Sequence, residues 1–347
     1  MRSAWHGWLF PSMSSAQSLV LAIESSCDET AVAILRGTEL LSSEVASQIA
    51  VHQAYGGVVP EVASRNHLRT LRPVIDTALE KARVRIQDID AFAATRGPGL
   101  ATSLMIGASA AKGLAVGMGK PFIAVNHIEG HLLSPFFGTA EGVRPAVALV
   151  VSGGHTLLVD IEGFGHYRLL GQTHDDAAGE AFDKVGKLLG LQYPGGPNVN
   201  RLAREGNPAS HAFPRSMIDS GDFHFSFSGL KTSVRYLLPK LEELNLPDLC
   251  ASFQEAVVDV LVSKTLAAAK ATRRTVVAVS GGVSCNTRLR ERFQETCKRR
   301  KLTLLVAEPW LCTDNAGMIG YVAALKLAHG ENSPLTADID PNLRLVA

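Results

Sequence analysis

Two histidines, His127 and His131, stand four residues apart in the stretch PFIAVNHIEGH. On a helix that spacing puts both imidazoles on one face, a turn apart, which suits chelation of one metal ion. The zinc-peptidase motif HExxH needs a glutamate directly after its first histidine to act as general base. Here that position is Ile128. Glu129, one residue later, lies about 200° round the helix from His127 and faces away from the imidazoles. A metal-binding pair therefore survives, while a peptidase loses its base. The ordinary alternative is a pair of hydrogen-bonded histidines at a lobe interface. A third ligand is needed, and CTDNAGMIG places Asp314 at the start of an apolar helix. Thr313 or Asp314 there has an everyday role as a helix cap, and capping and ligation need not exclude each other.

Glycine-rich turns are the next signal. VVSGGHT and VAVSGGVSCN each set Ser-Gly-Gly after an apolar strand. Glycines there let backbone N–H groups approach phosphate or ribose oxygens closely, although such a turn is often only a turn. Two of them, with the polar hairpin at Glu24–Thr30, point to a nucleotide cleft. No GxxxxGK[ST] loop and no convincing GxGxxG is present, and GMGKP at 117–121 only superficially resembles the former. The helix DDAAGEAFDKVGKLLG carries Asp176, Glu180, Asp183 and Lys187 on one face. That face is either a solvated surface with internal ion pairs or a set of carboxylates aimed at ribose hydroxyls. Cys27 and Cys285 lie in motif turns without an adjacent activator and read as structural; no Ser or Cys has an obvious base.

These groups need a frame to hold them. SLVLAIESSCDETAVAIL reads as strand, turn, strand, and PAVALVVSGGHTLLVDI repeats the arrangement at 145–161. A further strand and glycine-rich turn at 275–293 runs into a helix. Helical spacing appears at 66–83 (Leu68, Leu71, Ile75, Leu79), at 176–190, at 249–271 and at 315–329. IDAFAATRGPGLATSLMIGASAAKGLA reads as strand, turn and small-residue helix. Strands alternating with helices give an α/β fold. The repeated hairpin predicts two lobes, each opening with a turn that faces a common cleft. The expected division is an N-terminal extension at 1–18, a first lobe at 19–140 and a second at 141–347. The second carries a helical insertion at about 165–272, and the last helix returns to the first lobe.

The 347 residues suit two cores, and 46% hydrophobic with 19% charged residues is globular composition. Net charge is +1, so a polyanion would have to be held by local basic patches. Arg65, Arg69, Arg72, Lys81, Arg83 and Arg85 form one candidate and Lys298–Lys301 another, against the alternative of solvated helix faces. Five cysteines form no CxxC pair, which argues against a zinc ribbon or disulfide framework and for a reducing, cytoplasmic setting. No run of about 18 apolar residues suggests a membrane span. The first 17 residues faintly resemble a transit peptide with too little arginine; Met13 as the true start is the favoured reading, with an organellar location left open.

Taken in order, IESSCDET, GGVVPEVASRNH, NHIEGH, VSGGHT, DDAAGEAFDKVGKLLGLQYPGGP, FSFSGLKT, SGGVSCNTRLR and TDNAGMIG resemble the Kae/TsaD/OSGEP family of tRNA threonylcarbamoyltransferases, its bacterial TsaD branch in particular, over roughly residues 19–330. The resemblance implies two RNase H-like lobes of the actin/Hsp70/sugar-kinase (ASKHA) superfamily around a central cleft. It implies transfer of threonylcarbamoyl from threonylcarbamoyl-AMP to N6 of adenosine 37 in tRNAs reading codons that start with A, with AMP released. The family's metal ligands fall on His127, His131 and Asp314, for one divalent ion described as iron, with zinc also encountered. Its substrate contacts fall on Val150, Val151, Ser152, Gly153, Gly154, Asp183, Gly196 and Asn286. Many relatives carry Asp where this chain has Asn200, which leaves a contact from that side chain in doubt. The implied partners are tRNA, a TsaB-like paralogue and a TsaE-like ATPase. The small-residue helix with Ala101, Gly107, Ala108, Ala111 and Gly113 is a candidate to pack against the paralogue. The same helix buried within this chain is the alternative. A metallopeptidase and an ASKHA-type ATPase or kinase are the competing functions. Ile128 weighs against the first. Against the second, nucleotide-bound magnesium prefers oxygen ligands.

Overall fold

The structure is a computed structural model that describes residues 17–346. The extension expected at 1–18 therefore lies almost wholly outside the described residues.

The chain opens with an antiparallel meander, β1 (Leu19–Glu24), β2 (Glu29–Arg36) and β3 (Glu39–Ser47). A short α1 (Ile49–Gln53) and a long α2 (Pro60–Ala82) lead to β4 (Ala91–Gly97), which lies parallel to β1. After α3 (Ala101–Met118), β5 (Phe122–Asn126) adds parallel to β4 and runs straight into α4 (His127–Leu133). The first sheet has the order β3-β2-β1-β4-β5.

The second sheet repeats this order. The meander is β6 (Ala146–Val151), β7 (Thr156–Gly163) and β8 (His166–Gln172). Helices α5 (Ala178–Leu188), α6 (Gly195–Ala203), α7 (Ser228–Leu237) and α8 (Leu246–Ala271) follow. Then β9 (Val276–Ser280) pairs parallel to β6, and β10 (Thr303–Val306), beyond α9 (Thr287–Arg300), pairs parallel to β9. The order is β10-β9-β6-β7-β8. The chain closes through α10 (Pro309–Cys312) and α11 (Ala316–Ala328). The stretch expected as a helical insertion from about 165 thus opens with a strand, and its helices begin at Ala178.

Strands β1, β6 and β9 read as continuous apolar runs because helices cover both faces of each sheet. One core lies between the two sheets. It holds Val20, Ala22 and Val125 from the first, Ala148, Val150 and Ala278 from the second, and Leu132, Leu133, Met318 and Ile319 from α4 and α11 between them. The last helix packs on β1, β2 and α4.

Two helices differ from the sequence expectation. Helix α2 starts six residues earlier than its apolar spacing indicated, because Pro60 sits at its first turn, where a missing N–H costs nothing. Its buried stripe is Ala63, His67, Leu71, Val74, Ile75 and Ala78, and Leu68 is 69% exposed. His67 replaces Leu68 in the core because its imidazole finds partners there, Thr30 Oγ1 at 2.7 Å and the Cys27 carbonyl at 2.9 Å. Helix α3 is long and apolar enough by composition to cross a membrane. Here it lays Leu104, Ala108, Ala111 and Ala115 on the first sheet.

Candidate metal centre and its cleft

Helix α4 begins abruptly because Asn126 caps it: its Oδ1 accepts from the N–H groups of Ile128 (2.8 Å) and Glu129 (3.3 Å). The cap fixes the helix at the end of β5 and sends both histidines into the inter-lobe space. Their rings stand edge to face, 4.8 Å apart at 87°. Asp314, from the loop between α10 and α11, arrives from the other side. Its Oδ1 is 3.1 Å from His131 Nε2 and 3.5 Å from His127 Nε2. One ligand atom from each of the three lies within 4.8 Å of the others, and no second such cluster occurs among the described residues. Glu129 points away, accepting from Tyr167 Oη at 3.0 Å, with Lys326 Nζ at 3.4 Å.

The expected cap at Thr313 or Asp314 is corrected by the structure. Asn315 caps α11, accepting from Met318 N at 2.9 Å, which leaves the Asp314 carboxylate for the histidines.

The residue that sequence reasoning did not single out is Glu24, fully buried at the end of β1. Its Oε2 accepts from His127 Nδ1–H at 3.0 Å and from Thr95 Oγ1 at 2.7 Å, and Oε1 accepts from the Ser26 N–H. A buried carboxylate without partners would cost several kcal/mol. Burial works to raise the Glu24 pKa, but the facing His127 outweighs it and holds the carboxyl below its ordinary value. Burial likewise disfavours the charged His127, yet Asp314 and Glu24 raise its pKa to about 9. Asp314 resists its own burial through His127 and His131 and stays well below the carboxylate range.

This donor set fits a divalent cation. Binding would displace the proton from His127 Nε2, leaving two ionised carboxylates and two neutral imidazoles with two negative charges, while Glu24 keeps the remaining proton on Nδ1. His131 presents Nε2 while its buried Nδ1 has no partner.

Next to the triad lies a cavity of about 340 Å³. Ser152, Gly153, Asp183, Gly196, Asn286, Asn200 and Asp314 line it, with Phe182, Tyr193 and Val283 as apolar wall. Gly281, at φ +89°, turns β9 so tightly against β6 that a Cβ would sit 2.4 Å from the Val151 carbonyl. By contrast, a Cβ on Gly153, Gly154 or Gly282 would meet nothing within 4 Å. Their smallness is not demanded by packing in this chain, which leaves room for a ligand.

The other expected contacts divide. Val150 and Val151 are fully buried and, like Gly154, are not among the residues lining the cavity. Asp183 Oδ1 accepts from the N–H groups of Gly195 (2.7 Å) and Gly196 (3.2 Å), while burial, the larger influence, raises its pKa. Asn286 caps α9 through Leu289 N (3.0 Å) and donates to Gln254 Oε1 (2.6 Å). Asn200 Oδ1 accepts from Thr287 Oγ1 at 2.9 Å. Of the acidic helix face, only Asp183 reaches the cleft; Asp176 and Glu180 pair with Lys184.

Three further groups came to light only in three dimensions. Glu29, at the start of β2, lines the cavity with its Oε2 buried and unpartnered. Burial lifts its carboxyl to about 7 against the opposing hydrogen bond from Ser47. His155, in the Ser-Gly-Gly-His turn, is depressed to about 4 by burial and then by His127 and His131, so it is neutral at pH 7. Cys285, read from sequence as structural, is exposed and lines the cavity, and the neighbouring Cys312 thiol, then Arg290, lowers its pKa to about 6 against burial. All three lie inside motifs already conspicuous in sequence. What was missing were the surroundings that set their chemistry, burial for Glu29 and His155 and a neighbouring thiol for Cys285.

Comparison with known proteins bears on this geometry. The sequence pattern of the TsaD family, tRNA N6-adenosine threonylcarbamoyltransferase, matches residues 39–321. A tRNA N6-adenosine threonylcarbamoyltransferase of Geotalea uraniireducens is 55% identical over 328 residues, 93% of this chain and 95% of that protein. The one of Kosmotoga olearia is 50% identical over 328 residues, 94% of this chain and 99% of that protein. Full-length HypF, in its phosphate- and nucleotide-bound form, superposes with a TM-score of 0.62 at 13% identity, over 90% of this chain and 47% of that one. Component A of the Acidaminococcus fermentans (R)-2-hydroxyglutaryl-CoA dehydratase gives 0.54 at 14% identity, over 90% and 98%. At such identities the likeness is one of fold, the two-lobed ASKHA arrangement. The match across most of the chain and the identity to these relatives place it beyond that: the chain belongs to the TsaD family and is a tRNA-modifying acyltransferase.

Proposed function

We propose that the protein transfers threonylcarbamoyl from threonylcarbamoyl-AMP to N6 of adenosine 37 in tRNAs that read codons starting with A, releasing AMP. The observation that carries this reading is the meeting of His127, His131 and Asp314 at the end of a glycine-lined, apolar-walled cavity. His127 Nε2, His131 Nε2 and Asp314 would hold one divalent ion, iron or zinc, which would supply a Lewis acid for donor oxygens. The turns at Val150–Gly154 and Gly281–Asn286 offer backbone N–H groups to the adenylate, and Gly196 with Asp183 shapes the floor beneath it. Tyr193 and Phe182 supply the apolar wall on which a flat ring system rests.

In the transfer, the N6–C bond forms, the C–O bond of the mixed anhydride breaks, and AMP departs with the bonding pair. The proton lost from N6 passes to Glu29, whose carboxyl near 7 is matched to neutral pH. An adenine amine is a weak nucleophile, so positioning supplies most of the rate. Because the base must enter the cleft, the substrate is an exposed tRNA loop. Of the basic candidates, Arg72, Lys81 and Arg85 are engaged by Asp76, Glu44 and Asp88. Arg65, Arg69 and Arg83 and the run Lys298–Lys301 are exposed and make no ion pair among the described residues, which leaves both sets available to tRNA. An apolar groove between α2 and α3, lined by Leu68, Met105 and Gly113, suits a TsaB-like paralogue, with a TsaE-like ATPase completing the assembly. The setting is the cytoplasm.

The test is reconstitution with tRNA, threonine, bicarbonate, ATP, the donor-forming enzyme and both partner proteins, read by nucleoside mass spectrometry. Threonylcarbamoyladenosine is expected. Its absence from a system that a characterised relative completes would overturn the proposal.

A further inference from the structure

One end of the second lobe gathers unpaired positive charge from two separate loops. Helices α8 and α9 pack on each other, and each feeds one strand of the parallel pair β9 and β10. That pairing fixes the two helix ends side by side: Thr303 N donates to the Thr275 carbonyl at 2.9 Å, just beyond both. The end of α8 brings Lys270 and Arg273, and the end of α9 brings Lys298, Arg299, Arg300 and Lys301. All are exposed, and among the described residues none makes an ion pair. Arg274 differs, being tied to Asp160 at 2.6 Å, with Glu162 at 3.9 Å. On α9, Glu291 faces Arg288 at 3.7 Å, well back from the basic turn, and the exposed Glu295 pairs with none of these cations. A basic last turn has an ordinary role, complementing the helix dipole, and one or two cations serve that purpose. Four in a row on α9, joined by two from α8, exceed it, because like charges within a Debye length of about 8–10 Å repel. Arg273 and Lys301 also take left-handed backbone, φ 56° and 58°, where glycine or asparagine would sit at lower cost.

We propose that this end of the second lobe is a phosphate-backbone contact for the body of the tRNA, outside the stem-loop that carries the modified adenosine. The proposal rests on the tRNA substrate named above and says where the rest of that molecule lies. Strand β9 runs from the basic end to the cavity: Thr275 precedes it, and Gly281 follows it into the turn whose Gly282 and Val283 line the cavity. About 20 Å of strand separates Thr275 from Gly281. An adenine in the cavity and phosphates at the basic end therefore belong to distant parts of one folded RNA. The side chains suit phosphate, since arginine forks grip its oxygens in pairs and lysines add point charges. A protein partner or a membrane would want apolar side chains at the centre of its contact. The exposed large hydrophobic residues include none from α8, α9 or the loops that follow them. Nor is there an aromatic side chain there on which a base could stack. The contact therefore positions the RNA without reading its sequence, which suits an enzyme that serves several tRNAs.

The experiment measures, by fluorescence anisotropy over a range of salt concentrations, how the full chain binds an unmodified whole tRNA and the isolated stem-loop cut from it. Wild type is expected to bind the whole tRNA more tightly and with the steeper salt dependence. The variant Lys298→Gln, Arg299→Gln, Arg300→Gln, Lys301→Asn is expected to weaken whole-tRNA binding roughly 10–100-fold at physiological salt. It should also lower the slope of log affinity against log salt by about 3. Stem-loop binding should stay within about twofold of wild type. The pair Lys270→Gln, Arg273→Asn, on the other loop, should act in the same sense with a slope change of about 1.5. Asparagine keeps both left-handed turns, and unchanged thermal unfolding shows that the fold persists. Whole-tRNA binding that ignores both variants overturns the proposal. So does an equal loss on both RNAs, which would mark a general effect of charge, or an effect confined to one loop. Wild type that binds the whole tRNA no better than the stem-loop overturns it too, as does loss of a partner protein in place of tRNA. No transfer is measured, so failure here stays distinct from an absence of threonylcarbamoyladenosine in the reconstituted system.

Discussion

The two sheets share one topology, yet the cleft uses them unequally. In each, three antiparallel strands are followed by two parallel additions, and in each a short helix follows the last strand. At that equivalent place the first lobe puts His127 and His131 on α4, and the second puts Asp314 after α10. The candidate metal centre thus draws on matching positions of the two lobes. The cavity wall is not. Between its meander and the next long helix the first lobe has only α1 and a loop, whereas the second has α5, α6 and α7. Asp183, Tyr193 and Gly196 all come from that added stretch. The fold's internal repeat explains where a metal can sit; the insertion explains what can sit beside it.

Breaking the shared part should have the largest effect. His131→Ala and Asp314→Ala each remove one lobe's ligand, and the two should be equivalent: metal lost, and activity down roughly a thousandfold, the several kcal/mol a Lewis acid supplies. Elemental analysis with nucleoside mass spectrometry checks this. A large difference between the two variants would show that the lobes do not share the ion equally. Glu29→Gln tests the polar side of the cavity and should lower the transfer rate about a hundredfold with metal retained. Its pH dependence carries a sign. Burial raises the Glu29 pKa to about 7, so the folded state binds the proton more tightly than the unfolded one. Stability therefore falls as pH rises from the ordinary glutamate value through 7. Glu29→Gln should raise Tm relative to wild type above pH 7 and lose that advantage near pH 4, as differential scanning calorimetry would record. Glu24→Gln keeps the shape but weakens the hold on His127 Nδ1, and metal affinity should fall about 10–100-fold by competition titration. Smallest is Asn126→Ala, which removes the α4 cap and should cost about 1 kcal/mol in urea unfolding.

Much of this was legible beforehand because the signals were local. Hairpins, glycine-rich turns and the four-residue histidine spacing all sit within a few residues of each other, where strand and helix periodicity apply. The exclusion of a peptidase followed from Ile128 and the rotation of Glu129 alone. What escaped was set by partners distant in sequence. Nothing near Glu24 indicates that it faces His127, 103 residues on. Leu68 belongs to the core by spacing, but the buried place goes to His67 because Thr30 and Cys27 satisfy its ring. Capping was expected from the right cluster, TDN, but at Thr313 or Asp314, two residues or one before Asn315; the choice among three adequate caps depends on where the carboxylate is wanted.

The tail of the chain touches the same centre. Ser333 pairs with Phe122 on the edge of β5, the Pro341 carbonyl accepts from Gly99 N, and the Arg344 carbonyl accepts from Asn126 Nδ2, the residue that caps the histidine helix. Helix α11, which closes the core under β1 and β2, is itself among the last elements made. During synthesis the first lobe must therefore leave the ribosome with one face bare. It waits through the whole second lobe for its covering helix, the carboxylate that meets its histidines and the tail segment that bridges to its edge. A nascent chain that stalls short of residue 314 has both histidines and no way to complete the site. Competence to bind the ion is thus a late event in translation, and the exposed first sheet is the intermediate that a chaperone would have to shield.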